Sequence, residues 1–214
     1  MPNLFNRDDV VTVTTGTELG RGATATVYVA TVKKGTAAGA TYAVKISAGT
    51  NEAEAQFATE TTILDLLQTK PAGYPADKER PTSIIQYYGN TVINGKTHIF
   101  LENFQGEVLK NKFDELALPN NFQKRLNVVR GLQEAFTYLI AHNVKHFDQS
   151  TQNENMLVNS NGDVRVIDFG LAGVKSQKEV ISSVHAMIKS IYMAMGFLES
   201  EATLSKAPKV TPKA

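Results

Sequence analysis

Val166-Ile167-Asp168-Phe169-Gly170-Leu171-Ala172 is an apolar run that breaks on Asp-Phe-Gly. Upstream of it stand Lys145-His146-Phe147-Asp148 and then Asn155-Met156-Leu157-Val158. The apolar runs read as short strands, and the polar residues between them fall on loops. An aspartate that can hold a divalent cation, an asparagine that can share it, and an aspartate beside an attacking hydroxyl are the groups that phosphoryl transfer needs. A lone Asp-Phe-Gly is common by chance, so the residues that precede it carry the weight.

Working outward, the first half of the chain is rich in strands. Residues 11–14 alternate and are β-branched, and residues 26–32 and 41–46 continue the pattern. Leu19-Gly20-Arg21-Gly22-Ala23-Thr24-Ala25 reads as the turn joining the first two strands. Residues 51–67 turn helical, with Ala53, Phe57, Ile63, Leu64 and Leu67 able to share one face. Pro71, Pro75 and Pro81 make residues 70–82 a loop. Residues 84–88 and 98–101 read as short strands, and Asn94-Gly95 as a hairpin turn between strands around 91–93 and 97–101.

After Gly106 the character changes. Residues 122–142 form the best helical pattern, with Phe122, Leu126, Val129, Leu132, Phe136 and Leu139 on one stripe. Residues 156–158 and 164–167 read as strands flanking the turn Asn161-Gly162, and residues 180–198 as a second helix. The expected organisation is α+β and bilobal: a sheet-rich lobe over residues 1–103, a helix-rich lobe over 104–200, and a disordered tail over 201–214.

Individual residues then acquire candidate roles. Gly20-x-Gly22 lets backbone amides approach phosphate oxygens, although strand-connecting turns are rich in glycine anyway. Ala43 and Lys45 share a strand face, so an adenine-lining Ala43 points Lys45 into the cleft. A lysine there needs a counter-charge. Glu60 is the choice because it lies beside the packed face of the helix; Glu52 and Glu54 compete.

Taken in order, Gly20-x-Gly22-x-x-Ala25-x-Val27, Ala43-Val44-Lys45, His146-Phe147-Asp148, Asn155 and Asp168-Phe169-Gly170 resemble a protein kinase over about residues 10–172. The resemblance implies ATP and Mg²⁺ as cofactors. It implies that Gly20, Gly22, Ala23 and Thr24 cover the phosphates, that Val27 roofs the adenine, and that Leu101 is the gatekeeper. Glu102 and Phe104 would offer backbone hydrogen bonds to adenine, and Leu157 would form the pocket floor. Lys45 would contact the α- and β-phosphates with Glu60 holding it, Asp148 would act on the acceptor hydroxyl, and Asn155 and Asp168 would hold the metal.

Departures from the family pattern shape the rest. Asn153 stands five positions after Asp148, where the family places its asparagine, but Asn155 leads into the strand; both remain candidates. Phe147 replaces the arginine that pairs with a phosphorylated activation loop, and no Ala-Pro-Glu follows Asp168-Phe169-Gly170. The expected C-lobe is therefore truncated, without an activation segment or late helices, and active without phosphorylation. That economy is similar to the minimal kinases delivered into host cells by bacterial type III secretion, the HopBF and, more distantly, the OspG/NleH families. It implies a Ser/Thr kinase acting in the host cytoplasm as a monomer on a host protein. The partner is a heat-shock chaperone in the first family and ubiquitin-conjugating machinery in the second. The alternatives are a small-molecule phosphotransferase of the aminoglycoside or choline type, towards which Ser150 leans, and a kinase-fold binding module.

Composition removes other classes. The chain has 214 residues, and 22 Lys+Arg against 21 Asp+Glu leave a net charge of +1, which offers no electrostatic case for nucleic acid. Cysteine is absent, which excludes disulfides and thiolate metal sites. No apolar run suggests a membrane span, and residues 1–10 lack a signal-peptide pattern.

Overall fold

The computed structural model describes residues 13–32, 39–146 and 154–196. Asp148, Asn153 and the expected tail lie outside the described residues. Strands β1 (Val13–Arg21), β2 (Ala25–Val32), β3 (Thr41–Ser47), β4 (Tyr87–Ile93) and β5 (Lys96–Leu101) build one antiparallel sheet in the order β1-β2-β3-β5-β4. Helix α1 (Asn51–Leu66) packs on one face of it. Thr50 caps this helix by accepting a hydrogen bond from the Ala53 N–H, and Ala53, Phe57, Ile63 and Leu64 are buried beneath it. Asn94 and Gly95 both have positive φ, the conformation of a tight two-residue hairpin turn.

The sequence expectation is corrected at two places that border the cleft. Strand β1 runs on through Gly20 to Arg21, with Gly20 opposite Val27, so only residues 22–24 turn. Ile84 is not part of β4; it bridges instead to Val166, with the Ile85 N–H donating to Val166 O at 3.1 Å.

Beyond the sheet come β6 (Glu107–Val108), the short helix α2 (Phe113–Ala117), the long α3 (Phe122–Ala141), β7 (Val144–Lys145), β8 (Met156–Val158), β9 (Val164–Val166), β10 (Gly173–Val174) and α4 (Gln177–Ala194). Strands β6, β8 and β9 form a small sheet in the order β6-β8-β9, and β7 pairs with β10. Helix α3 buries Val128, Leu132, Ala135, Phe136, Tyr138 and Leu139, whereas Phe122 is half exposed. Leu132, Phe136 and Leu139 of the expected stripe are thus buried and Val129 packs against the core, while Val128, Ala135 and Tyr138 widen the buried face and Phe122, in the first turn, lies past the packed layer. Helix α4 starts from a capping box in which Ser176 and Glu179 satisfy each other's backbone N–H groups. Only residues 171–176 separate Gly170 from this helix, and β10 lies within them.

The main core is continuous across the two halves. Phe57, Leu64 and Leu101 belong to the same buried cluster as Leu132, Phe136, Phe169 and Met187. A second, smaller cluster of Val32, Tyr42, Val44 and Phe100 covers the outer face of the sheet. The main core lies directly beneath the cleft described next, which gives the site a rigid floor.

Candidate active site

Strand alternation on β3 sends Tyr42 and Val44 to the outer cluster and Ala43 and Lys45 to the inner face. Lys45 is buried, and its Nζ lies 2.7 Å from Glu60 Oε2 and 2.8 Å from Asp168 Oδ1. Glu60 comes from the buried face of α1, and its second oxygen, Oε1, accepts the Phe169 N–H at 3.3 Å. The rival carboxylate Glu54 is engaged by Thr97, and Glu52 is exposed. Burial alone would lower the Lys45 pKa, but the two carboxylates outweigh it and leave it raised, so the group stays an ammonium. Glu60 is enclosed on all sides, and burial pushes its pKa up against the pull of Lys45. Burial acts upward on Asp168 too, yet Lys45 and the Gly170 N–H hold that carboxyl below its usual value.

Asp168 adopts a left-handed backbone, φ 59°. Such a conformation costs free energy and persists where the surroundings over-determine it. Here Asp168 Oδ1 accepts from both Lys45 and the Gly170 N–H, the latter at 3.3 Å. Phe169 is fully buried with its ring edge-on to His146, centroids 4.3 Å apart. His146 donates from Nε2 to Ile167 O at 2.8 Å, and burial lowers its pKa to about 4, so it is a neutral support beneath the loop. Asn155 is brought alongside, since the Ile167 N–H donates to Asn155 O at 2.9 Å.

In front of this ionic cluster lies a cavity of about 240 Å³. Val27, Ala43 and Leu101 line it from the sheet, and Leu157 and Ile167 from the other side. Lys45, Glu60 and Asp168 close its inner end; Glu102 and Phe104, on backbone outside the sheet, form its outer wall. Gly20 lines the cavity, but Gly22 and Ala23 do not. They border a separate depression beside Ile46 and Lys96, and the Gly22 N–H is committed to Ala25 O at 2.8 Å. The turn is folded onto itself. Thr24 reaches helix α1, where its hydroxyl donates to Gln56 Oε1 at 3.0 Å.

Sequence reasoning missed Ile85, Val108 and Ile167 as lining residues. It also missed the partner of the Glu102 side chain, Arg165, whose Nε and one Nη each donate to that carboxylate at 2.8 Å. Glu102 and Arg165 are 63 residues apart in sequence, and no local pattern joins them. Among the described residues no three His, Cys, Asp or Glu side chains converge to hold a metal by themselves. A hard cation here would have to take one carboxylate, an amide oxygen and ligand phosphates, which is a donor set suited to Mg²⁺.

Residues 13–208 match the family model for protein tyrosine and serine/threonine kinases. The dual specificity mitogen-activated protein kinase kinase mek-2 of Caenorhabditis elegans is 36% identical over 94 residues, covering 42% of this chain and 23% of that protein. The mitogen-activated protein kinase kinase kinase YODA of Arabidopsis thaliana is 35% identical over 99 residues, covering 44% of this chain and 10% of that protein. The chain thus spans less than a quarter of the length of the curated relatives it matches. A crystal structure of a kinase domain shares the fold with a TM-score of 0.60 at 18% identity, covering 82% of this chain and 55% of that one. With a family model running through both the sheet and the helical half, the chain belongs to the protein tyrosine and serine/threonine kinase family.

Proposed function

We propose that this chain is an ATP- and Mg²⁺-dependent protein kinase that phosphorylates serine or threonine. The observation that carries this is the placing of Lys45 between Glu60 and Asp168 at the closed end of an apolar slot. The slot fits a nucleotide: flat apolar walls for a base, main-chain polar groups at one end and an ammonium for phosphate at the other. Val27, Ala43, Leu101 and Leu157 enclose the base, while the carbonyl of Glu102 and the N–H of Phe104 give it hydrogen bonds. Glu60 aims Lys45 at the α- and β-phosphates. Gly20 stands over them; cover by Gly22, Ala23 and Thr24 requires the β1–β2 turn to swing inward. Asp168 and Asn155 are the residues that would hold Mg²⁺, which when bound supplies charge neutralisation for the transferring phosphoryl group. Asp148, by its place in the motif, orients the acceptor hydroxyl and takes its proton late in transfer.

The direct passage through residues 171–176 into α4 supports activity without loop phosphorylation, since no long segment intervenes to be switched. The same economy supports a bacterial effector of the HopBF-like kind acting in the host cytoplasm, with a host chaperone as substrate. Incubation of the wild type, Lys45→Ala and Asp168→Ala with labelled ATP in host-cell lysate, and separately with aminoglycosides, tests this. Protein labelling by the wild type alone is expected. Equal labelling by either variant would reject the assigned roles, and labelling confined to aminoglycosides would move the reading to a small-molecule phosphotransferase.

A further inference from the structure

Arg165 has every guanidinium nitrogen engaged. Nε and one Nη meet the two Glu102 oxygens at 2.8 Å each, and the other Nη donates to Val164 O at 3.0 Å. The guanidinium also lies over the Phe104 ring, 4.4 Å from its centroid. The ring also rests against Gly106, where an added Cβ would come within 2.6 Å of Phe104 Cε1. Glu102 is held by its backbone as well, its N–H donating to the O of Gln86, just before β4, at 2.9 Å. The strand that carries Arg165 is itself pinned, with the Val166 N–H donating to Ser83 O at 2.8 Å. An exposed ion pair contributes little, but here both side chains are largely covered, at 15% and 24% exposure, and the fork is fully used.

The consequence falls on the outer wall of the cleft. The Glu102 carboxylate is taken up by Arg165 of β9 and by the Gln86 N–H, so the charge at this wall is paired and its main chain is left for a ligand. The Phe104 ring is clamped as a fixed side of the cavity. We infer that Arg165 is the positioning residue of the adenine end: it fixes the Glu102–Phe104 backbone for base recognition and acts on nucleotide affinity, not on phosphoryl transfer. This rests on the reading of the slot as an ATP site. Arginine is suited to the task because its planar fork binds a carboxylate in two places while stacking on a ring, which lysine cannot do.

Binding of Mg²⁺-ATP, adenosine and inorganic tripolyphosphate to the wild type, Arg165→Met and Arg165→Lys separates the ends of the site. Arg165→Met is expected to weaken both ATP and adenosine about tenfold and to leave tripolyphosphate within about twofold. KM for ATP should rise by the same factor while kcat at saturation holds, and Arg165→Lys should fall between. Should Arg165→Met not fold, Glu102→Gln, which keeps the shape and removes the charge, is expected to move adenosine in the same direction. Adenosine affinity equal to wild type in the folded variants would overturn the role of Arg165. So would parallel weakening of adenosine and tripolyphosphate, or a fall in kcat with KM unchanged. A wild type that binds ATP sets these outcomes against Arg165 alone; one that binds neither ATP nor adenosine overturns the nucleotide site and the clasp with it.

Discussion

At the inner end of the cleft Lys45 divides its ammonium between Glu60 and Asp168, while at the outer end Arg165 gives its guanidinium to one carboxylate and one ring. Both contacts join the strand-rich half to the elements that follow it. A lysine is a compact charge on a flexible stem, so it can release the half-exposed Asp168 for an incoming phosphate while keeping the fully buried Glu60. An arginine fork cannot exchange partners without losing two bonds together. The inner end is thus built to be rearranged by a ligand and the outer end to stay as it is. Each of the following changes acts on one end and leaves the other in place.

The largest effect is expected at the inner end. Lys45→Met leaves Glu60 buried without a cation, and removing one partner of a buried pair costs about 3 kcal/mol or more. The proton that Glu60 then takes up limits this loss. Adding Glu60→Gln removes the stranded charge and keeps an acceptor for the Phe169 N–H. Denaturant unfolding should find the double variant more stable than Lys45→Met alone. If the two losses simply add, the pair is not coupled in the way its geometry requires.

Acid acts on the support beneath the same end. Unfolded, His146 titrates near its ordinary value of about 6.5; folded, burial holds it at about 4. Between those values the unfolded chain binds more protons, so stability rises with pH: present above the higher value, it is lost as pH falls towards the lower. The span corresponds to about 3 kcal/mol at most. His98 and His142 are lowered by burial as well and contribute in the same direction. Thermal unfolding of His146→Gln across this window should therefore show a shallower slope than wild type, though not a flat one. Slopes that coincide would mean that His146 is not held neutral.

The inner end was far more legible in the sequence than the outer. Lys45, Glu60 and Asp168 each sit in a short pattern with its own chemistry, and strand and helix periodicity placed the first two on facing surfaces. The Asn94-Gly95 and Asn161-Gly162 turns were legible for the same reason, since few residues accept at low cost the positive φ found at Asn94, Gly95 and Gly162. Helix α2 was not, because five residues between two 3₁₀ turns are too few to show a period. The stripe of α3 was legible from Val129 to Leu139 but was begun too early, because Phe122 is apolar and in phase yet lies beyond the packed layer. Glu102 and Arg165 meet through tertiary contact alone. The turn of the glycine-rich segment was placed too early because glycine signals bending whether it lies in the turn or, like Gly20, on a strand.

The smallest effect belongs to the outer end and needs no change of charge. At Gly106 an added Cβ would approach Phe104 Cε1 to 2.6 Å and Val158 O to 3.0 Å. Neither neighbour yields freely: the ring lies under Arg165, and Val158 is paired with Glu107 in the small sheet. Gly106→Ala should therefore cost about 1–2 kcal/mol by overpacking, a fall of about 3–6 °C in Tm for a chain of this size. It should also weaken adenosine by shifting the ring. The Arg165→Met background sharpens the test. With the clamp gone the ring can swing aside, so the same alanine should cost less there than in the wild type. Equal costs in both backgrounds would show that the ring is seated by its own packing and that the guanidinium merely lies over it.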